Sequence, residues 1–138
     1  MTAIDGPSLE LQKAYVAILK NDADVVSLIS TRINPVQGTD WPGDYIEIGD
    51  GQDVPDLAEC IDGSEIYHDI HIWTRGDSSF AKVNKIAANV WKAISAATIT
   101  LTENQFKQVE RGSLNRLRDP NGVTLHGILT LRALTEPA

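Results

Sequence analysis

What the sequence lacks narrows its class first. It has one cysteine, Cys60, so no disulfide forms within the chain, which fits a reducing compartment. No stretch approaches the roughly 20 apolar residues that a membrane helix requires. The longest run without Asp, Glu, Lys or Arg is Pro120 to Leu131, and it contains His126. A soluble chain with no membrane contact is expected. The opening Met1-Thr2-Ala3-Ile4-Asp5 has neither the basic start nor the apolar centre of a secretory signal. Catalytic and phosphate-cradling signatures are missing as well: there is no Gly-x-x-x-x-Gly-Lys-Ser/Thr, Gly-x-Ser-x-Gly, Cys-x-x-Cys or His-Glu-x-x-His. The expectation is a protein that is not an enzyme and needs no cofactor, with no catalytic and no metal-binding residues.

Basic residues are missing from one region. Residues 1–69 carry fourteen acids against Lys13, Lys20 and Arg32, a net −11, while residues 70–138 are at +4, giving −7 overall. Between Asp40 and Asp69 there are ten acids and no base. Such a chain is a poor general ligand for duplex nucleic acid, because that affinity comes mostly from Lys and Arg neutralising phosphates.

What is present is an ordinary amount of chain for one domain. At 138 residues it is able to bury roughly 68% of its unfolded surface, so residues 1–138 read as one domain with its own core. Leu11, Tyr15, Ile18 and Leu19 mark one face of a helix over Ser8–Lys20, with Ser8 as N-cap, and Val25, Val26 and Ile29 mark a shorter one. Pro35, Gly38, Pro42 and Gly43 make 34–44 mostly loop. Tyr45–Gly49 alternates as a strand, and Asp50–Gly63, rich in acids, glycine and proline, reads as a long exposed connection.

The second half is more regular. Ile66, His68, Ile70 and Ile72 alternate with Tyr67, Asp69, His71 and Trp73, which is a strand. Phe80, Val83, Ile86, Ala87, Val90, Trp91 and Ile94 repeat at helical spacing, with Asp77 or Ser78 as cap and Lys92 near the negative end of the helix dipole. Strands follow at 98–101, 105–117 and 123–134, the last two joined by a turn at Asp119-Pro120-Asn121-Gly122. In the last strand Val123, Leu125, Leu129, Leu131 and Ala133 share the core face with Gly127, and Glu136-Pro137-Ala138 reads as a frayed terminus. The sum is an α+β fold, one antiparallel sheet of about four strands with two main helices packed on one face. Tyr67 and Trp73 then stand on the outer face, where loops or another subunit must cover them.

Candidate chemistry is sparse. On a strand His68 points away from Asp69 and His71, so the three do not converge on one ion. Asp50, Asp53 and Asp56 recur every three residues, but the spacing fails the known calcium loop, which needs ligands at its first, third and fifth positions, then glycine and a late glutamate. Lys107, Arg111, Arg116 and Arg118 line one strand, and a solvated edge that deters aggregation explains them better than a nucleic-acid groove.

In order and spacing the elements resemble a family. A first helix, a proline-rich loop, a strand with an acidic connection, His71-Ile72-Trp73-Thr74-Arg75 and a strong helix are followed by Arg118-Asp119-Pro120-Asn121-Gly122 and His126-Gly127-Ile128-Leu129-Thr130-Leu131-Arg132. Together, over nearly the whole chain, they are similar to the tail completion, or tail terminator, proteins of long-tailed bacteriophages, prophages and gene transfer agents. The resemblance implies a structural virion protein that forms a ring of its own copies, usually a hexamer, on the head-proximal end of the tail tube. There it would end tail polymerisation and meet the tail tube protein and the head-tail connector protein. DNA would pass through without being specifically bound, and assembly would occur in the bacterial host cytoplasm. Asp50, Asp53, Asp56, Tyr67 and Trp73 are the candidate residues for the ring lumen or the subunit interface. Another head-tail connector component, or a small acidic regulatory protein, is the alternative.

Overall fold

The structure, a computed structural model, describes residues 3–34, 43–49, 51–56, 63–76, 79–120 and 122–137. Helix α1 spans Pro7–Lys20 and α2 spans Ala23–Ile29. Proline suits the start of α1, since its missing N–H would have no helical partner there and its φ is already helical. Ser8 is therefore inside the helix rather than its cap, and the cap position is Gly6 at φ 85°. The cap hydrogen bonds come from far along the chain: the Glu103 carboxylate accepts the backbone N–H of Asp5 at 2.9 Å and of Gly6 at 3.1 Å. Asp22 caps α2 locally, accepting the Val25 N–H at 3.0 Å.

Five strands form one antiparallel sheet: β1 (Tyr45–Ile48), β2 (Gln52–Asp56), β3 (Gly63–Arg75), β4 (Asn104–Arg118) and β5 (Thr124–Pro137), with α3 (Ala81–Ala96) between β3 and β4. The order is β1-β3-β5-β4, and β2 lies beside β1 on the same flank of β3. The residues expected to form a loop at 50–63 thus contain a strand, which runs antiparallel to β3 from Gln52 opposite Tyr67 to Asp56 opposite Gly63. Gly51 permits this approach, because a Cβ there would overlap the backbone carbonyl of Tyr67.

Burial follows the alternation. Ile66, Ile70 and Ile72 of β3 and Leu125, Leu129, Leu131 and Ala133 of β5 face α1 and α3, where they meet Leu11, Tyr15 and Leu19 and also Val83, Ile86, Val90 and Ile94. Each fully buried Leu or Ile contributes on the order of 1.5–3 kcal/mol by leaving water. His68 is on this inner face as expected, buried with its ring edge-on to Tyr15 at 5.5 Å and its Nε2 3.4 Å from the Ser8 hydroxyl.

The structure corrects several sequence expectations. Residues 98–101 form no strand; Ile99 and Leu101 instead pack as irregular chain against the core rim. Val123 is exposed because it precedes β5, beside the turn, whereas Glu136 and Pro137 belong to β5 and pair with Gln105 and Asn104. The turn itself is as expected, with the Gly122 N–H bonded to the Asp119 carbonyl at 3.0 Å and Gly122 at φ 76°. Asp77 and Ser78, the expected caps of α3, lie outside the described residues; Phe80 holds the cap position, and the Ser79 hydroxyl accepts the Ala81 N–H at 3.1 Å. Lys92 ties α3 to α2 through Asp24 at 2.6 Å.

Candidate assembly surface

Helices cover one face of the sheet, and the strand register lays out the other as rows of side chains. Directly opposed residues in antiparallel strands share a face. Tyr45, Trp73, His126 and Leu117 therefore form one row across β1, β3, β5 and β4, and Glu47, His71, Ile128 and Asn115 form the next. Asp69 and Thr130 follow, and then Gln52, Tyr67, Arg132 and Glu110.

The first two rows are a stacked aromatic cluster. Trp73 lies over His126 with ring centroids 3.7 Å apart and planes 9° from parallel, and Tyr45 stacks on the other side of Trp73 at 6.3 Å. The Trp73 indole N–H donates to Glu47 at 3.0 Å. His71 Nδ1 and His126 Nε2 are 2.8 Å apart, so one ring donates its N–H to the other. Burial pulls the His126 imidazole below its ordinary value, and the neighbouring His71 adds to this against the opposing pull of Glu47 and Asp119.

The far end of the face is ionic. Arg132 bridges Glu65 at 2.9 Å and Glu110 at 3.3 Å, and the Tyr67 hydroxyl donates to Glu65 at 2.9 Å. The Arg132 hydrogen bond, then that from Tyr67, holds the Glu65 carboxyl below its usual range. Asp69 accepts the Thr130 hydroxyl at 2.8 Å.

Tyr67 and Trp73 thus share one face, as expected, but at its opposite ends. The acids do not converge. Asp53 pairs with Ile66 and lies on the helix side, whereas Asp56 pairs with Gly63 on the outer side; Asp50 and Cys60 lie outside the described residues. The sequence offers no signal that groups Tyr45, Glu47, His126 and Arg132, because their neighbours come from other strands and only the register brings them together.

On this face a pocket of about 140 Å³ lies beside Tyr45, Trp73, Arg75 and Asp119; larger recesses of about 330 and 400 Å³ lie elsewhere, beside Leu101 and Phe106 and beside Leu9 and Val16 of α1. Among the described residues, no three His, Cys, Asp or Glu side chains group as metal ligands, and no helix is long and apolar enough to cross a membrane.

A family profile described as "Tail completion protein gp17" matches residues 13–136, from α1 to the end of β5. The chain belongs to this tail completion protein family. The tail completion protein gp17 of Bacillus phage SPP1 is 27% identical over 125 residues, spanning 91% of each chain. The solved structure of bacteriophage SPP1 gp17 superposes with a TM-score of 0.60 at 25% identity, covering 91% of this chain and 88% of that one. A chain from the virion of a native gene transfer agent particle shares the fold more closely, with a TM-score of 0.82 at 22% identity over 92% of this chain and 95% of its own. The chain is accordingly a structural tail completion protein of the bacteriophage virion.

Proposed function

We propose that the chain closes the head-proximal end of a tail tube as a hexameric ring, stopping tube growth and joining the tail to the head. The observation that carries this reading is the family match over residues 13–136. In this reading residues 1–138 act as one domain whose partners are its own copies, the tail tube protein and the connector protein, and it works without catalysis.

The outer face supports the reading physically. It presents Trp73, Tyr45 and His126, each half-buried, as a stacked platform next to an ionic half, the mixture of aromatic anchor and polar surround found at protein contacts. Tyr67 and Trp73 are the residues we assign to that contact. Asp50, Asp53 and Asp56 belong to the base-free run, which offers phosphates no cation to grip wherever it meets passing DNA.

The test is electron microscopy of particles assembled without this chain. Tails of uncontrolled length that fail to join heads are expected, with recovery when the purified chain is added. Tails of normal length joined to heads in its absence would overturn the reading.

A further inference from the structure

The sheet has two open flanks of opposite charge. From Asp44 to Asp56 the chain carries five acids and no base, while β4 carries Lys107, Arg111, Arg116 and Arg118 against Glu110 alone. These segments lie at the two ends of the strand order. The flank of β1 is already occupied by the chain at 32–34: Asn34 donates its N–H to the Ile46 carbonyl at 2.9 Å, and Ile46 donates to Arg32 at 3.1 Å. Among the described residues nothing pairs with the outward side of β2 or of β4.

Length and facing agree as well as charge. The register of β4 breaks between Arg111 and Leu114, so Leu114–Arg118 is its uninterrupted end, five residues like β2. Arg116 and Arg118 sit on the helix side of the sheet: Arg116 donates to Asn84 of α3 at 2.7 Å, and the Arg118 guanidinium lies 4.8 Å from the Phe80 ring centroid. Asp53, opposite Ile66, is also on the helix side. A sheet continued from one molecule to the next therefore brings Asp53 to the same face as these two arginines.

Resting on the ring reading, we infer that β2 of one copy lies along Leu114–Arg118 of the next, with Asp53 facing Arg116 and Arg118. The occupant is a second copy because both halves of the contact are on every molecule. A contact between two different patches repeats head to tail, giving a ring where the rotation closes and a filament where it does not. Pro55 removes one backbone donor from β2, and the bulges in β4 interrupt its ladder, so backbone pairing stays short and charge selects the partner.

The full-length chain tests this by native mass spectrometry and sedimentation velocity on the wild type, D53R, R116D/R118D and the combined triple variant, each checked for fold by circular dichroism. The wild type is expected to form closed oligomers. Each reversal should raise the dissociation constant at least about tenfold, and the triple variant should regain most of the loss. If a reversed variant unfolds, D53N and R116Q/R118Q replace it, with a smaller weakening expected. Reversed variants that assemble like the wild type, or a triple variant that recovers nothing, would overturn the edge contact while leaving the ring reading standing. A wild type that stays monomeric at every concentration and salt would overturn the edge contact, while the ring reading stands or falls with the microscopy of particles assembled without the chain.

Discussion

Glu10 caps the backbone of Glu103, and Glu103 in turn caps the chain just ahead of the helix that carries Glu10. The Glu10 carboxylate accepts the N–H groups of Glu103 at 2.8 Å and Thr102 at 2.7 Å, together with the Thr102 hydroxyl and the Asn104 amide, while Glu103 accepts from Asp5 and Gly6 ahead of α1. This clasp joins the start of α1 to the segment leading into β4, two parts of the chain far apart in sequence.

Partial burial pushes the Glu10 carboxyl up, but hydrogen bonds from the Glu103 backbone, the Thr102 and Asn104 side chains and the Thr102 backbone outweigh it, holding it at about 2 against an ordinary 4.5. A carboxylate depressed in the folded state stabilises above its unfolded value, and that stabilisation is lost as pH falls from 4.5 toward 2. Glu10→Gln should cost about 1–2 kcal/mol at neutral pH and flatten the acid limb of a denaturation series. An unchanged acid limb in the variant would show that Glu10 does not hold the clasp.

His126 gives a second dependence on pH. Its folded-state value lies below the ordinary 6.5, so the unfolded chain binds the proton more readily. Stability should therefore be complete above 6.5 and decline as pH falls through that value toward the lower folded one. Imidazole resonances followed by NMR should show a midpoint for His126 below 6.5, and His126→Gln should remove this part of the decline. A midpoint at or above the ordinary value would contradict the buried, paired geometry.

Gly127 is fixed by close packing. A Cβ at this position would lie 2.5 Å from Cγ1 of Val83 on α3. Gly127→Ala should destabilise the fold by about 1–3 kcal/mol in chemical denaturation, as overpacked cores do. A loss below about 0.5 kcal/mol would mean that α3 shifts aside without strain.

Replacing Asp50, Asp53 and Asp56 together with lysine places phosphate-binding charge where the sequence has none. Particles carrying this variant should deliver their genome more slowly or fail to join heads, read as infectivity per particle. Full infectivity would show that the base-free run plays no part in passage or joining.

Strands with strict alternation were legible because each buried position repeats every second residue. Ile66, His68, Ile70 and Ile72, and Leu125 to Ala133, needed only that rule. The strand β2 was not, since Gln52-Asp53-Val54-Pro55-Asp56 has little intrinsic preference for one and forms by pairing along β3 past Gly51. Conversely, Ile99 and Leu101 alternate with Thr100 and Thr102 yet form no strand, because Glu10 captures Thr102 and redirects the chain. The stacked cluster depends on the registers Tyr45 to Trp73 and Trp73 to His126, which no single stretch of sequence encodes.

The position of β5 has a consequence for synthesis. It lies between β3 and β4 and pairs along both, yet it follows every other element in chain order. A nascent chain lacking it has its helices and hairpin partners but no sheet centre, so β3 and β4 cannot belong to one surface. The outer-face residues His126, Ile128, Thr130 and Arg132 arrive on that same strand. Under the proposed ring, finished protomers alone present a complete outer face to a partner, and a partly made chain has none to offer.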